Sequence, residues 1–565
     1  MKKKYSIGLD FGTLSARAVL VDLSNGKEVT STVYGYQDSV INRFLPDTDI
    51  GLPPNFDLQN PQDYLDATEA LLKSIWEMAN IEASQVISIG IAFTACTMLP
   101  VDKDMMPLCF DERFRRNPHS WAKLWKHHGA QPECDKINSL AIRRNEAFIK
   151  RYGNLSSSEW LFAKIAEIYD HAPEIYENTH LFLEAGDWIV GQLTGKYITS
   201  SCMAGFKAFW DKQEGYPSKA FFKAFAPGFE NVTDKIIDDV RALGSCAGGL
   251  CETFAQKTGL KEGISVSVSI IDAHASFPAV GITAEDSMLM VMGTSLCHIL
   301  VSGEQRLISG ISGVAYDGVL PGYYGYEAGQ AAVGDIFDWF VNQLAPYDYA
   351  CEAEERNCTL FDIMGEKASA LKAGESGLVA LDWWNGNRSM LNNSNLSGLV
   401  LGMNLRTTPE EIYRALIEAT AFGTRKIVEE IETAGVPIRH IYACGGLSRK
   451  SKLVMQVFSD VLGRKIMVSN IAQTTAYGAA MFAAVSAGRE AGGFNTIMEA
   501  TRALIAPIKE VYSPDMDNHS VYCRLYKKYC ELHDYFGIQH KEMMADLNAL
   551  RIEVQKSAGR QQENI

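Results

Sequence analysis

The sequence predicts an α/β protein made of two similar halves that face a shared ligand. Three observations carry that prediction. "YSIGLDFGTLSARAVLVD", residues 5–22, reads as two β-strands around Asp-Phe-Gly-Thr, with β-branched and apolar residues at Ile7, Leu9, Val19 and Val21 and a turn at Gly12. "MLMVMGTSLCHILV", residues 288–301, repeats the punctuation, its Gly293-Thr294 echoing Gly12-Thr13. Strand-like runs alternate with amphipathic helices along 565 residues, a length that suits two large domains rather than one core.

Along the first half, "PQDYLDATEALLKSIWEMA" from Pro61 spaces Tyr64, Leu65, Ala67, Leu71, Leu72, Ile75 and Trp76 on one helical face. "VISIGIAF", Val86 to Phe93, follows as a buried strand. Asn117-Pro118 then predicts a helix over "PHSWAKLWKHH", capped by Asn117, with Trp121, Leu124, Trp125 and His128 on one face. His127 and His128, as neighbours, point to different sides. A helix ending at Gly259 precedes the second half.

In the second half, Thr408, Pro409 and Glu411 form a capping box ahead of Ile412, Leu416, Ala419 and Ile427, and small Ala419, Ala421 and Gly423 allow a close neighbour. "HIYACGGLSRKSKLVMQVF" reads as a strand, the Gly445-Gly446 turn and a helix beginning near Arg449. The expected organisation is an N-terminal domain over 1–281, a C-terminal domain over 282–510 and a helical segment over 511–565 whose end, "KSAGRQQENI", reads as a frayed tail.

Composition narrows the function classes. A net charge of -15 argues against a broad nucleic-acid surface, which needs clustered Lys and Arg, but not against one bound nucleotide. No apolar stretch follows the basic N-terminus and no run of 18 apolar residues occurs, so a cytoplasmic address without a membrane partner is expected. Twelve cysteines form no Cys-x-x-Cys pair, which favours reduced thiols over a zinc site.

Walker, dinucleotide-fingerprint and protein-kinase motifs are absent, so phosphate must be held another way. The first hairpin offers amides at Gly12 and Thr13, hydroxyls at Thr13 and Ser15, and the Asp10 carboxylate, a set that suits phosphate oxygens and hydrated Mg²⁺. Gly293, Thr294 and Ser295 offer the same in the second half. "SVSIIDAHASFPAVG" places Asp272 at a strand end, where a carboxylate can accept the proton of an alcohol attacking ATP. A helix-capping aspartate is the competing reading, and His274 reads as structural.

Strand-turn hairpins in both halves plus a late strand-GG-helix unit resemble the ATPase domain shared by actin, hexokinase and the heat-shock chaperones. "IIDAHASFPAVG", "VMGTSLCH", "GYEAGQAAVGDIF", "ALDWWNGNRS", "ACGGL" and "TAYGAAMFAA" further resemble the FGGY family of carbohydrate kinases, with "FTACTMLPVD", "NPHSWAKLWKHHGAQPE" and "MAGFKAFW" as the discriminating stretches. The resemblance runs from about Tyr5 to Gly488. It implies two actin-like (ribonuclease H-like) domains with the active site in the cleft between them, and ATP-dependent phosphorylation of ribulose at O5. It also implies Asp272 as base, Ala95, Trp125, Lys207, Asp272 and Glu327 at the sugar, Asp10 and Asp272 around Mg²⁺, and Gly445 and Gly446 beside adenosine. Three positions depart from the family's pattern: Leu14 where an acidic residue is common, Ala92 where an aspartate is usual, and Ser451 where an asparagine often stands.

Other readings stay open at this stage, among them a sugar-binding protein that has lost catalysis, with which Leu14 and Ala92 are compatible, and two more. One is a kinase for another ketose or polyol, such as D-ribulose, ribitol, xylulose or glycerol; the other is an ATP-driven switch protein like actin or a chaperone. The choice between monomer and homodimer is also open.

Overall fold

The computed structural model describes residues 3–557. Two seven-stranded mixed sheets dominate it, and six strands of each share one pairing pattern. In the first, Glu28–Gly35, Ser15–Asp22 and Tyr5–Phe11 run antiparallel in turn, Val86–Phe93 and Ser265–Ser267 then pair parallel, and Cys246–Gly249 closes the edge antiparallel. In the second, Tyr324–Gln330, Leu296–Ser302 and Ser287–Met292 run antiparallel, His440–Cys444 and Ile466–Ser469 pair parallel, and Ile508–Tyr512 closes the edge antiparallel. The two halves are therefore the same fold, as the paired hairpins predict. Each sheet also carries one further short strand, Ile270–Ile271 beside Val86–Phe93 and Gly313–Tyr316 beside Tyr324–Gln330.

Most local expectations correspond to the structure. Helix Pro61–Met78 is capped by the Asn60 side chain and buries Tyr64, Ala67, Leu71, Leu72 and Ile75. Gly259 ends helix Glu252–Thr258 in a left-handed conformation, and Glu411 accepts from the Thr408 amide at 2.8 Å to open helix Pro409–Thr433. Gly423 on that helix faces the Asp382 and Gln330 side chains, which leave no room for a Cβ.

Two expectations are corrected. The stretch after Asn117 is not a long helix: Pro118–Ser120 is one 3-10 turn, capped by Asn117 as predicted, and Ala122–Lys123 is a short strand paired with Leu58–Gln59 and with Met98. Burial of Trp121, Lys123 and Leu124 on both sides of the chain overrides the helical spacing. The helix after the double glycine begins at Gly446 rather than near Arg449 and breaks at Ser451, whose side chain caps Lys452–Leu462.

One helix joins the halves. Thr474–Ala487 comes late in the chain yet packs on Tyr5–Phe11 and Val86–Phe93, and on helix Asp272–Ala279. Its approach is close enough that a Cβ on Gly8 would meet the Ala476 carbonyl oxygen at 1.8 Å, and one on Gly478 the Ala275 carbonyl oxygen at 1.7 Å. Helix Met516–Asp534 packs on Lys452–Leu462, and buried Tyr522 accepts from Arg414 at 2.7 Å and donates to Glu418 at 3.0 Å. Helix Glu542–Ser557 ends the described chain; the tail expected from "KSAGRQQENI" lies, beyond Ser557, outside the described residues.

Candidate active site

Each hairpin closes through its glycine amide, though over different spans: Gly12 donates to the Ser15 carbonyl at 3.0 Å, three residues on, and Gly293 to the Ser295 carbonyl at 2.9 Å, two residues on. The first is held from below by Gln59, which donates to the Thr13 carbonyl at 2.7 Å and accepts from buried Tyr64 at 2.6 Å. The second is held by the start of helix Gly334–Leu344, where the Val333 and Asp335 amides donate to the Thr294 carbonyl at 2.8 and 3.2 Å. Gly445 follows the strand that pairs parallel with Ser287–Met292, with φ +94 and its Cα so near the Met292 carbonyl that a Cβ would sit 2.4 Å from that oxygen. Gly446 beside it faces open space. The double glycine thus abuts the second hairpin at the carboxyl ends of two parallel strands, the place where open α/β sheets bind ligands.

Asp10 and Asp272 occupy the same ends of the first sheet. Asp10 lies opposite Ala92, which lies opposite Ile270, two residues before Asp272. Burial lifts the Asp10 carboxyl to about 6, with Arg17, 3.6 Å away, pulling against it. Burial first, and then the negative charge of Asp10, lift Asp272 to about 7. Its carboxylate accepts from the amide of its neighbour Ala273 at 2.7 Å at the first position of helix Asp272–Ala279; Ile271 holds the N-cap position and no side chain caps this helix, so Asp272 is not the helix-capping aspartate of the competing reading. A carboxyl poised near neutrality at a cleft fits a general base.

Between the sheets opens a cleft of about 230 Å³. Lys207 ends helix Ser201–Lys207, every residue of which is buried, and donates to both oxygens of Glu327 at 2.9 and 3.1 Å. Glu327 stands on Tyr324–Gln330 of the second sheet, so the pair spans the halves. Burial opposes both charges, but their mutual attraction outweighs it and holds Lys207 above and Glu327 below their ordinary values. His274 Nε2 lies 3.0 Å from Glu327 and is fully buried, which fits the structural role expected of it. Ala95 sits in a loop whose neighbours are pinned: the Thr94 amide donates to Phe11 at 3.0 Å, and buried Lys164 donates to the carbonyls of Cys96 and, at 2.7 Å, of Leu124. Trp125 follows Leu124, and its indole donates to the Thr13 hydroxyl at 3.0 Å.

Of the residues expected at the site, Thr13, Ala95, Trp125, Lys207, Asp272, Thr294, Ser295 and Glu327 line this cleft together. Asp10, Gly12, Ser15, Gly293, Gly445 and Gly446 do not line it and stand at or next to the strand ends and turns around it. The departures fall differently: Leu14 is exposed at a hairpin tip, Ala92 is buried, and Ser451 caps a helix. Sequence reasoning missed Glu159, Trp160, Cys297 and Arg388, which also line the cleft. Glu159 and Trp160 carry no motif, whereas Arg388 lay within "ALDWWNGNRS" and could have been singled out there.

Comparison with known proteins agrees with this geometry. Residues 5–279 match the N-terminal domain, and residues 288–487 the C-terminal domain, of the FGGY family of carbohydrate kinases. The chain is 50% identical over 552 residues to a ribulokinase of Halalkalibacterium halodurans, covering 98% of each, and 40% identical over 549 residues to one of Staphylococcus aureus, covering 97% of this chain and 99% of the relative. Among solved structures, a xylulose kinase from Rhodospirillum rubrum superposes with a TM-score of 0.75 at 24% identity, covering 94% of this chain and 99% of that one. A glycerol kinase of Plasmodium falciparum with ADP superposes at 0.72 and 16% identity over 94% of this chain and 98% of the other, a likeness of fold.

Proposed function

This chain belongs to the FGGY family of carbohydrate kinases, and from that premise we propose that it transfers the γ-phosphoryl group of ATP to O5 of L-ribulose, giving ribulose 5-phosphate in L-arabinose catabolism. The identity to ribulokinases over nearly the whole chain supports the sugar. The observation that carries the reading is Asp272, a carboxyl lifted to about 7, opening into the same cleft as the Lys207–Glu327 pair.

In this mechanism Lys207 and Glu327 supply a donor and an acceptor to the sugar hydroxyls, and small Ala95 leaves room for the pentulose chain. Trp125 packs at the cleft wall and steadies Thr13. Amides and hydroxyls of the two hairpins take the phosphate oxygens, and Gly446, with open space before it, flanks the adenosine. Asp272 accepts the proton of O5 as the oxygen attacks. Closure of the halves excludes water as a competing acceptor, and holding the two reactants in line supplies about 7 kcal/mol or more of the barrier reduction.

The donor set also fits Mg²⁺. Among the described residues no cluster of three or more His, Cys, Asp or Glu could hold a metal alone, but Asp10 and Asp272 are two mutually repelling carboxylates beside the hairpins, and Mg²⁺ ordinarily takes one or two carboxylates plus phosphates and water. Bound there, Mg²⁺ would neutralise phosphate charge. No described helix is long and apolar enough to cross a membrane; a cytoplasmic location is part of the proposed reading. A homodimer remains compatible with this reading.

The test is ADP release with MgATP and a panel of L-ribulose, D-ribulose, D-xylulose, ribitol and glycerol beside a no-sugar control. Strongest stimulation by L-ribulose is expected. Equal turnover without sugar would replace the reading with an ATP-driven switch.

A further inference from the structure

The cleft holds a second cross-domain ion pair of opposite sense. Lys207 of the first half faces Glu327 of the second; Glu159 of the first half faces Arg388 of the second at 3.6 Å. Both residues of this second pair line the cleft, and both side chains remain partly exposed to it, 16% for Glu159 and 23% for Arg388. The difference lies in how they are used. Lys207 spends its donors on two hydrogen bonds to Glu327, whereas Arg388 donates no hydrogen bond among the described residues, and Glu159 accepts none. His128 Nε2 also lies near Glu159, 3.8 Å away, and the charges of Lys164 and Lys207 act on the same carboxylate.

A guanidinium stays charged and presents five donors in a fixed fork; leaving them idle in a cleft costs free energy unless a ligand or water takes them. The backbone around Arg388 is held in place for such a role. Ser389 accepts from the Gly329 amide at 3.1 Å, on the strand that carries Glu327, and Asn392 donates to the Leu155 carbonyl at 3.3 Å, back in the first half. Glu159 is placed by the turn that opens helix Leu161–His171. An anionic ligand would be repelled by Glu159, and an apolar one would leave both groups unsatisfied. An uncharged molecule with neighbouring hydroxyls satisfies both, donating to Glu159 and accepting from Arg388.

We propose that Arg388 and Glu159 are specificity-determining residues that bind the hydroxyls of the sugar that do not react, completing across the cleft what Lys207 and Glu327 begin. This rests on the sugar-kinase reading above. A contact made equally in the ground state and the transition state raises KM and leaves kcat when it is lost, and that is the signature expected of this pair.

The experiment compares wild type, Arg388→Met, Arg388→Lys and Glu159→Gln for KM and kcat with L-ribulose and with glycerol, for KM of ATP, and for thermal midpoint. Expected is a rise of about tenfold or more in the L-ribulose KM for Arg388→Met and Glu159→Gln, with kcat and the ATP KM within about twofold and a smaller rise for glycerol, which offers fewer hydroxyls. Arg388→Lys keeps the charge and should fall between. An L-ribulose KM within about twofold of wild type, or equal changes in the sugar and ATP constants, overturns the proposal in favour of a structural brace. Should Arg388→Met fail to fold, Arg388→Lys and Glu159→Gln decide by the same criteria. Wild type unresponsive to every sugar overturns the kinase reading itself, an outcome separate from a responsive wild type with unaltered variants.

Discussion

The Trp125 indole donates to the Thr13 hydroxyl at 3.0 Å, so a wall of the sugar cleft is tied directly to the tip of the first hairpin. In the proposed mechanism this one hydrogen bond links the sugar and phosphate subsites. Trp125→Phe keeps a ring in the wall and removes the donor. The ATP KM should rise about fivefold, the equivalent of one neutral hydrogen bond of about 1 kcal/mol, as measured by steady-state kinetics at saturating sugar.

Lys207→Met leaves the Glu327 carboxylate buried without its main partner, beside His274. Breaking a buried pair from one side costs about 3–5 kcal/mol, so the thermal midpoint should fall clearly and sugar-stimulated turnover should be lost. Lys207→Met combined with Glu327→Leu should recover much of the midpoint and none of the turnover. Calorimetry beside the ADP assay separates the two effects.

Lys164 is fully buried and donates to carbonyls next to both Ala95 and Trp125, so it fixes two walls of the cleft from behind. Lys164→Met would leave the Cys96 carbonyl without its donor, at about 1–3 kcal/mol, while the Leu124 carbonyl keeps the His127 amide at 2.9 Å. A lowered thermal midpoint and a several-fold higher sugar KM are expected, with the ATP KM less affected.

Glu184 is buried, and burial lifts it from its ordinary 4.5 to about 8 against the charge of Lys164. Between those values the folded chain holds a proton that the unfolded chain has released. Stability from this group is therefore full below about 4.5 and is lost as pH rises to about 8. Glu184→Gln removes that slope, so the variant should gain in thermal midpoint relative to wild type at pH 8 and gain little at pH 5.

Much of this was legible in the sequence because turn chemistry is local. Gly12-Thr13, Gly293-Thr294 and Gly445-Gly446 announced three strand ends, and Asp272 followed an apolar run, so the fold and eight of the residues lining the cleft could be named from short stretches. What was not legible depends on distant partners. Trp121 and Leu124 have helical spacing but are buried on either side of a short strand, and Lys123 pairs with Glu167, 44 positions away. Glu159 and Arg388 meet only because the halves face each other across 229 residues of chain. Helix Thr474–Ala487 likewise completes the core of the first sheet from the far end of the sequence, which its composition alone did not reveal.

The most direct test of the central claim, that Asp272 takes the proton of the attacking hydroxyl in this cleft, is single-turnover phosphoryl transfer by Asp272→Asn, paired with calorimetric L-ribulose binding. The account predicts binding within several-fold of wild type and a fall in transfer of about 10²–10⁴-fold, the usual contribution of a positioned base. Transfer within about threefold of wild type, with binding intact, would contradict it.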